Sequence, residues 1–141
     1  MARSGKEPIM EKKILIIDDN LDYADSIKII LESAKYKVDV ATSSDIATKK
    51  LEAEAPDLII LDIMMQKGAE GIIISRKLKK DPRLTKVPVI MLTSITKQTG
   101  FRFIEKDPRD KRFLPVEEFI EKPVLPDVLL NKVKALLDKT T

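Results

Sequence analysis

Apolar positions along this chain fall into two alternating patterns, short continuous runs and longer stretches with helical spacing. Ile14–Ile17 is an unbroken β-branched and leucine run that ends at Asp18-Asp19. Ile27, Ile30, Leu31 and Ala34 then recur at spacings of three, four and seven, which predicts a helix with one apolar face. Asn20 or Asp22 is suited to cap its start. Lys37–Ala41 alternates as a short strand, and Ser43 or Ser44 caps a second helix that runs to about Ala55 and is stopped by Pro56. Leu58–Ile63 (LIILDI) reads as a buried strand with Asp62 near its carboxyl end. The loop MMQKGAEG leads into a helix over Ile72–Lys80, whose basic last turn suits the negative pole of a helix, and Asp81-Pro82 ends it. Val87–Leu92 is a further apolar strand, closed by Thr93-Ser94, and Phe119-Ile120 is a short last one before Glu121-Lys122-Pro123. Leu125, Val128, Leu129, Val133, Leu136 and Leu137 line one face of a closing helix.

Continuous apolar strands alternating with amphipathic helices predict a parallel sheet covered on both faces. Right-handed crossovers make it a doubly wound, five-stranded α/β sandwich. Ile95–Glu118 does not follow the alternation. Its roughly two dozen residues show no helical period, and Pro108 and Pro115 interrupt it. Structureless stretches beyond about 12–15 residues are uncommon in compact domains and are often functional or disordered; this one is expected to be a long loop, with a small hairpin or one short turn of helix, between two strands.

Composition narrows the chemistry. The 141 residues suit one domain with its own core. Cysteine, histidine and tryptophan are absent, so there is no disulfide, no thiolate or imidazole ligand, and no Cys or His nucleophile or base. A bound metal would need oxygen ligands, which favours Mg²⁺, Ca²⁺ or Mn²⁺. The net charge of +3 is a balance of 26 basic and 23 acidic residues, a mixed surface that argues against direct nucleic-acid binding. No apolar stretch approaches the ~20 residues of a membrane span. The first eleven residues are basic without an apolar run and read as a flexible leader, leaving 12–139 as the domain.

The charged residues matter by position. In an open parallel sheet, ligands bind beyond the carboxyl ends of the strands. Those ends carry Asp18 and Asp19, then Asp62, then Thr93 and Ser94, then Lys122. Crowded carboxylates repel one another unless a cation neutralises them, and Mg²⁺ takes one or two carboxylates together with phosphate oxygens and water. A carboxylate beside such an ion can attack an activated phosphoryl group and form an acyl phosphate, with positioning and charge neutralisation supplying most of the catalysis. Taken singly, each residue reads as a helix cap or a solvated side chain; their joint occurrence at successive strand ends favours the site.

The pieces ILIIDDN, PDLIILDIMM, VPVIMLTS and EFIEKPV, the last followed by an amphipathic helix, occur in this order. Together they resemble the response-regulator receiver domains of two-component signalling, over about Lys12 to Lys139. The resemblance implies a flavodoxin-like receiver fold with Asp62 as phosphoacceptor and Asp18 and Asp19 as the acidic pair that places Mg²⁺. It further implies that the carbonyl of Met64 is a metal ligand, Thr93 the hydroxyl that moves toward the phosphoryl group, and Lys122 the lysine that contacts it, often followed by a cis proline, here Pro123. Phe119 stands at the switch aromatic.

The sequence departs from that family pattern in three places. The loop after Asp62 has Gln66 and Lys67 in place of the usual proline turn, it is one residue longer before Gly71, and Ile95–Glu118 replaces the fourth helix. The expectation is a cytoplasmic, stand-alone receiver, monomeric or weakly dimeric, with no output domain after Thr141. It would take its phosphoryl group from a histidine kinase or phosphotransfer protein and switch binding to a downstream protein target, without direct nucleic-acid binding or membrane insertion, catalysing only its own phosphorylation and dephosphorylation. The alternatives are a phosphorylation-independent adaptor of the same fold and a small aspartate-dependent phosphatase. The phosphatase is disfavoured because Asp18 and Asp19 are adjacent rather than two apart. An FMN binder is weaker still, since no Ser/Thr/Gly-rich loop follows the first strand.

Overall fold

Each continuous apolar run forms a strand, because β-branched side chains are least restricted on an extended backbone and both faces of the sheet are covered. The computed structural model describes residues 11–62, 70–93 and 117–139. The strands are β1 (Lys13–Ile17), β2 (Lys37–Ala41), β3 (Leu58–Asp62), β4 (Val89–Thr93) and β5 (Glu118–Glu121). Between and after them lie the helices α1 (Leu21–Ser33), α2 (Ser44–Ala53), α3 (Glu70–Lys80) and α4 (Pro126–Lys139). The sheet order is β2-β1-β3-β4-β5, with every neighbouring pair parallel.

The two-residue period of the strands divides the core. Leu15, Ile17, Ile59, Leu61, Val89 and Met91 face one side, where Ala47 and Leu51 of α2 and Ile74 and Leu78 of α3 cover them. Ile14, Ile16, Leu58, Ile60, Ile90 and Leu92 face the other, against Ala24, Ile27 and Leu31 of α1 and Leu129, Val133, Leu136 and Leu137 of α4. This is the predicted sandwich. The chain passes from β1 to one edge strand, β2, then returns past β1 to β3 and builds outward in the opposite direction. The reversal opens a crevice between the carboxyl ends of β1 and β3.

Several boundaries differ from the sequence reading. Asn20, not Asp22, caps α1, accepting from the Tyr23 N–H at 3.0 Å, and Asp22 lies in the first turn. Ser43 caps α2 in the same way through the Ile46 N–H, and α2 ends at Ala53 rather than Ala55. Helix α3 begins at Glu70, ahead of Ile72. Strand β4 begins at Val89 because the Val87 N–H is spent on a turn to the Leu84 carbonyl and Pro88 has no N–H to give. Strand β5 begins one residue early, at Glu118.

Ala34 is the exposed C-cap of α1 rather than part of its buried face. After it, Lys35 takes the left-handed conformation (φ 75°), and bonds from Lys35 N–H to Glu32 and from Tyr36 N–H to Leu31 close the helix as a Schellman motif. Leu125 and Val128 are also exposed, at 62% and 38%, against expectation. The chain leaves β5 at the sheet's carboxyl edge and α4 starts there, so its first turn has little sheet beneath it. Residues 1–10 of the expected leader (1–11), the loop 63–69, and residues 94–116, which hold all of the expected helix replacement (Ile95–Glu118) but its last two residues, lie outside the described residues, and Glu118 belongs to β5. No helix among the described residues is long and apolar enough to cross a membrane.

Candidate functional site

The sheet delivers four charged side chains to one place. Asp18 follows β1 directly and its N–H still bonds the Ala41 carbonyl of β2 at 3.0 Å, so the backbone there is held by the ladder. Asp62 is the last residue of β3, paired in register with Leu92. Lys122 follows β5 directly, joined to Pro123 by a cis peptide bond as expected. Asp18 and Asp62 are buried and Asp19 is half-buried. One carboxylate oxygen from each lies within 4.8 Å of the other two.

The Lys122 ammonium sits over this cluster, 3.6 Å from Asp62 Oδ2 and 3.7 Å from Asp18 Oδ2. These are charge–charge contacts slightly too long for hydrogen bonds. Asp18 Oδ1 accepts from the Asn20 N–H at 2.9 Å, which ties the acid to the cap of α1. Asp18 Oδ2 has no hydrogen-bond partner among the described residues although it is buried. A buried carboxylate oxygen without a donor is costly, and a cation shared among the three acids relieves that cost. The donors are all oxygen and anionic, the set that suits a hard divalent ion. The residues therefore fit Mg²⁺, with Asp18, Asp19 and Asp62 as the side chains that would hold it.

The sequence reading placed Asp18, Asp19, Asp62 and Lys122 together, and they are together. The backbone of Thr93 closes β4, in register with Glu121 beside the Lys122 position, and Met64 lies outside the described residues. Phe119 is not in the cluster. It is half-buried in β5, opposite Met91, and packs on the α2–α3 side of the core.

Tyr23 escaped the sequence reading. It lies in the first turn of α1, and its ring centroid is 4.4 Å from Lys122 Nζ. Its hydroxyl accepts from the Val124 N–H at 3.2 Å, across 101 positions of sequence. No local pattern announces such a contact, because it depends on how the start of α1 meets the chain leaving β5.

Residues 14–134 match the family model of the response regulator receiver domain. Among curated relatives, the phosphate regulon transcriptional regulatory protein PhoB of Pseudomonas aeruginosa is 33% identical over 133 residues, covering 92% of this chain and 53% of that protein. The alkaline phosphatase synthesis transcriptional regulatory protein PhoP of Bacillus subtilis is 32% identical, covering 93% and 50%. The chain thus spans about half the length of these relatives. Among solved structures, the signal receiver domain of a signal transduction histidine kinase from Syntrophus aciditrophicus is similar at 34% identity and a TM-score of 0.74, covering 91% of each chain. A CheY-like receiver domain protein from Methanospirillum hungatei is similar at 29% identity and a TM-score of 0.75, covering 92% of this chain and 95% of that one.

Proposed function

The chain belongs to the response regulator receiver domains, and from that premise we propose that Asp62 accepts a phosphoryl group from a phosphohistidine donor at a Mg²⁺ site built on Asp18 and Asp19. Receiver domains accept phosphoryl groups in signalling and bind Mg²⁺ at an acidic pocket. The residue roles here rest on one observation above all. Three strand-end carboxylates crowd together, one Asp18 oxygen among them is buried without a hydrogen-bond partner among the described residues, and a lysine ammonium lies beside them.

In the step proposed, an Asp62 carboxylate oxygen bonds to phosphorus as the phosphorus–nitrogen bond of the donor breaks. The donor imidazole leaves with the bonding pair, and an acyl phosphate remains on Asp62. Bound Mg²⁺ would neutralise the charge of the carboxylates and the incoming phosphoryl oxygens. Lys122, already 3.6 Å from Asp62 Oδ2, takes a phosphoryl oxygen as a charge-assisted acceptor. By the family resemblance, the Thr93 hydroxyl would bind another, and the Met64 carbonyl would be a further ligand to the metal. The same chain then releases its phosphate by hydrolysis and acts on no other substrate.

The output is a change of protein partner. Thr93 ends β4, and Phe119 lies in the adjacent strand opposite Met91, two positions before Thr93; in this reading, movement of Thr93 toward the phosphoryl group alters the packing of Phe119. Intact-protein mass after incubation with acetyl phosphate tests the reading. A single Mg²⁺-dependent adduct is expected for the wild type and none for Asp62→Asn. A folded wild type that takes no adduct and binds no beryllofluoride would favour an adaptor that works without phosphorylation.

A further inference from the structure

We propose that Tyr23 is a positioning residue that holds the Lys122 ammonium for phosphoryl transfer, an assignment that rests on the function proposed above. A lysine side chain has four rotatable bonds and no fixed fork, so its ammonium lands where its surroundings hold it. Among the described residues, two carboxylates and one ring lie against it. Asp18 Oδ2 and Asp62 Oδ2 lie at 3.7 and 3.6 Å, each beyond a hydrogen bond. The Tyr23 centroid lies at 4.4 Å, inside the range of a cation–π contact. The Lys122 side chain is only 20% exposed, so water competes weakly for the ammonium and the ring's attraction is strengthened.

The ring is itself fixed at both ends. The Tyr23 N–H is bound by the Asn20 cap, and Asn20 is bound by Asp18. The Tyr23 hydroxyl accepts from Val124, two residues beyond Lys122. The acid that would hold the metal and the lysine that would bind the phosphoryl oxygen are thus registered through one aromatic residue. The ring keeps the ammonium from closing onto a carboxylate and leaves its N–H donors for the arriving phosphoryl group.

The test compares wild type with Tyr23→Phe, which keeps the ring, and Tyr23→Leu, which keeps apolar bulk alone. Two readouts are taken: the NMR shift of the Lys122 Hε protons and the transfer rate from saturating acetyl phosphate with Mg²⁺. The expected result is a ring-current upfield shift in wild type and Tyr23→Phe that is lost in Tyr23→Leu. The transfer rate should fall about tenfold in Tyr23→Leu alone. An unshifted Lys122 in wild type, a Tyr23→Leu variant that transfers at the wild-type rate, or a Tyr23→Phe variant as slow as Tyr23→Leu would overturn the role of the ring while leaving Asp62 as acceptor. A wild type that takes no phosphoryl group would overturn the function, and with it any role of Tyr23 in transfer.

Discussion

Replacing Asp18 by Asn should stabilise the metal-free protein, although it removes a charge from the middle of the site. Asp18 is buried within 4.8 Å of both Asp19 and Asp62 and 3.7 Å from Lys122. At an effective dielectric of about 20, two like charges 4.8 Å apart repel by about 3.5 kcal/mol, and opposite charges 3.7 Å apart attract by about 4.5 kcal/mol. Two repulsions against one attraction leave Asp18 unfavourable by about 2.5 kcal/mol, which side-chain relaxation reduces to roughly 2 kcal/mol. The amide keeps the oxygen that accepts from the Asn20 N–H. For a chain of this size the gain corresponds to a rise in Tm of about 6 °C. The assay is urea and thermal unfolding of both proteins in chelator and across a Mg²⁺ titration. Wild type should gain about 2.7 kcal/mol at a hundredfold excess of Mg²⁺ over its Kd, and Asp18→Asn much less. An Asp18→Asn protein less stable than wild type in chelator, or one that gains as much from Mg²⁺, would refute the electrostatic reasoning.

Other elements carry independent predictions. Lys35→Gly should stabilise the fold by about 0.5–1 kcal/mol in urea unfolding, since Lys35 holds a left-handed conformation that glycine adopts without steric cost. Glu117→Ala should cost about 1–3 kcal/mol in the same assay, because Glu117 accepts from the Val89 N–H at 2.8 Å and pairs with Lys79, tying α3 to the starts of β4 and β5. Stability should fall with acid below about pH 4. Burial raises the Asp39 pKa, but the Lys50 hydrogen bond, the Val40 N–H and the charges of Lys50 and Lys28 together bring it below 3.8. The Arg83 backbone N–H, with help from its side chain, lowers Asp81 in the same direction. A carboxylate depressed in the folded state stabilises above its unfolded pKa, and that contribution is lost as pH falls through the folded value. Thermal melts between pH 7 and 3 should show the loss, and Asp39→Asn should make it shallower.

Strands β1, β3 and β4 were legible in the sequence because their alternate residues must face two covered sides, so neighbouring positions are apolar, whereas β2, with Lys37 and Asp39 exposed, showed as an alternation. Asp18, Asp19, Asp62 and Lys122 were legible for a related reason. A parallel sheet gathers whatever follows its strands, so polar residues ending apolar runs fall together without any long-range information. Tyr23 was not legible, since its partners lie about a hundred positions away and its spacing in α1 suits an ordinary core aromatic. The helix period placed Leu129, Val133, Leu136 and Leu137 correctly but carried Leu125 and Val128 with them. Period alone does not tell where the sheet beneath a helix ends. The start of β4 was misplaced because Val87 and Pro88 are as apolar as a strand, while the Leu84 turn claims the N–H that pairing would need.

The central claim is that Asp62 itself becomes the acyl phosphate, and trapping that bond is the most direct test. After incubation with acetyl phosphate and Mg²⁺, borohydride reduces an aspartyl phosphate to homoserine, which peptide mass mapping locates. Homoserine at position 62, dependent on both donor and Mg²⁺, is the predicted result. A phosphorylated, folded protein with unmodified Asp62, or with the trapped residue at Asp18 or Asp19, would contradict the account.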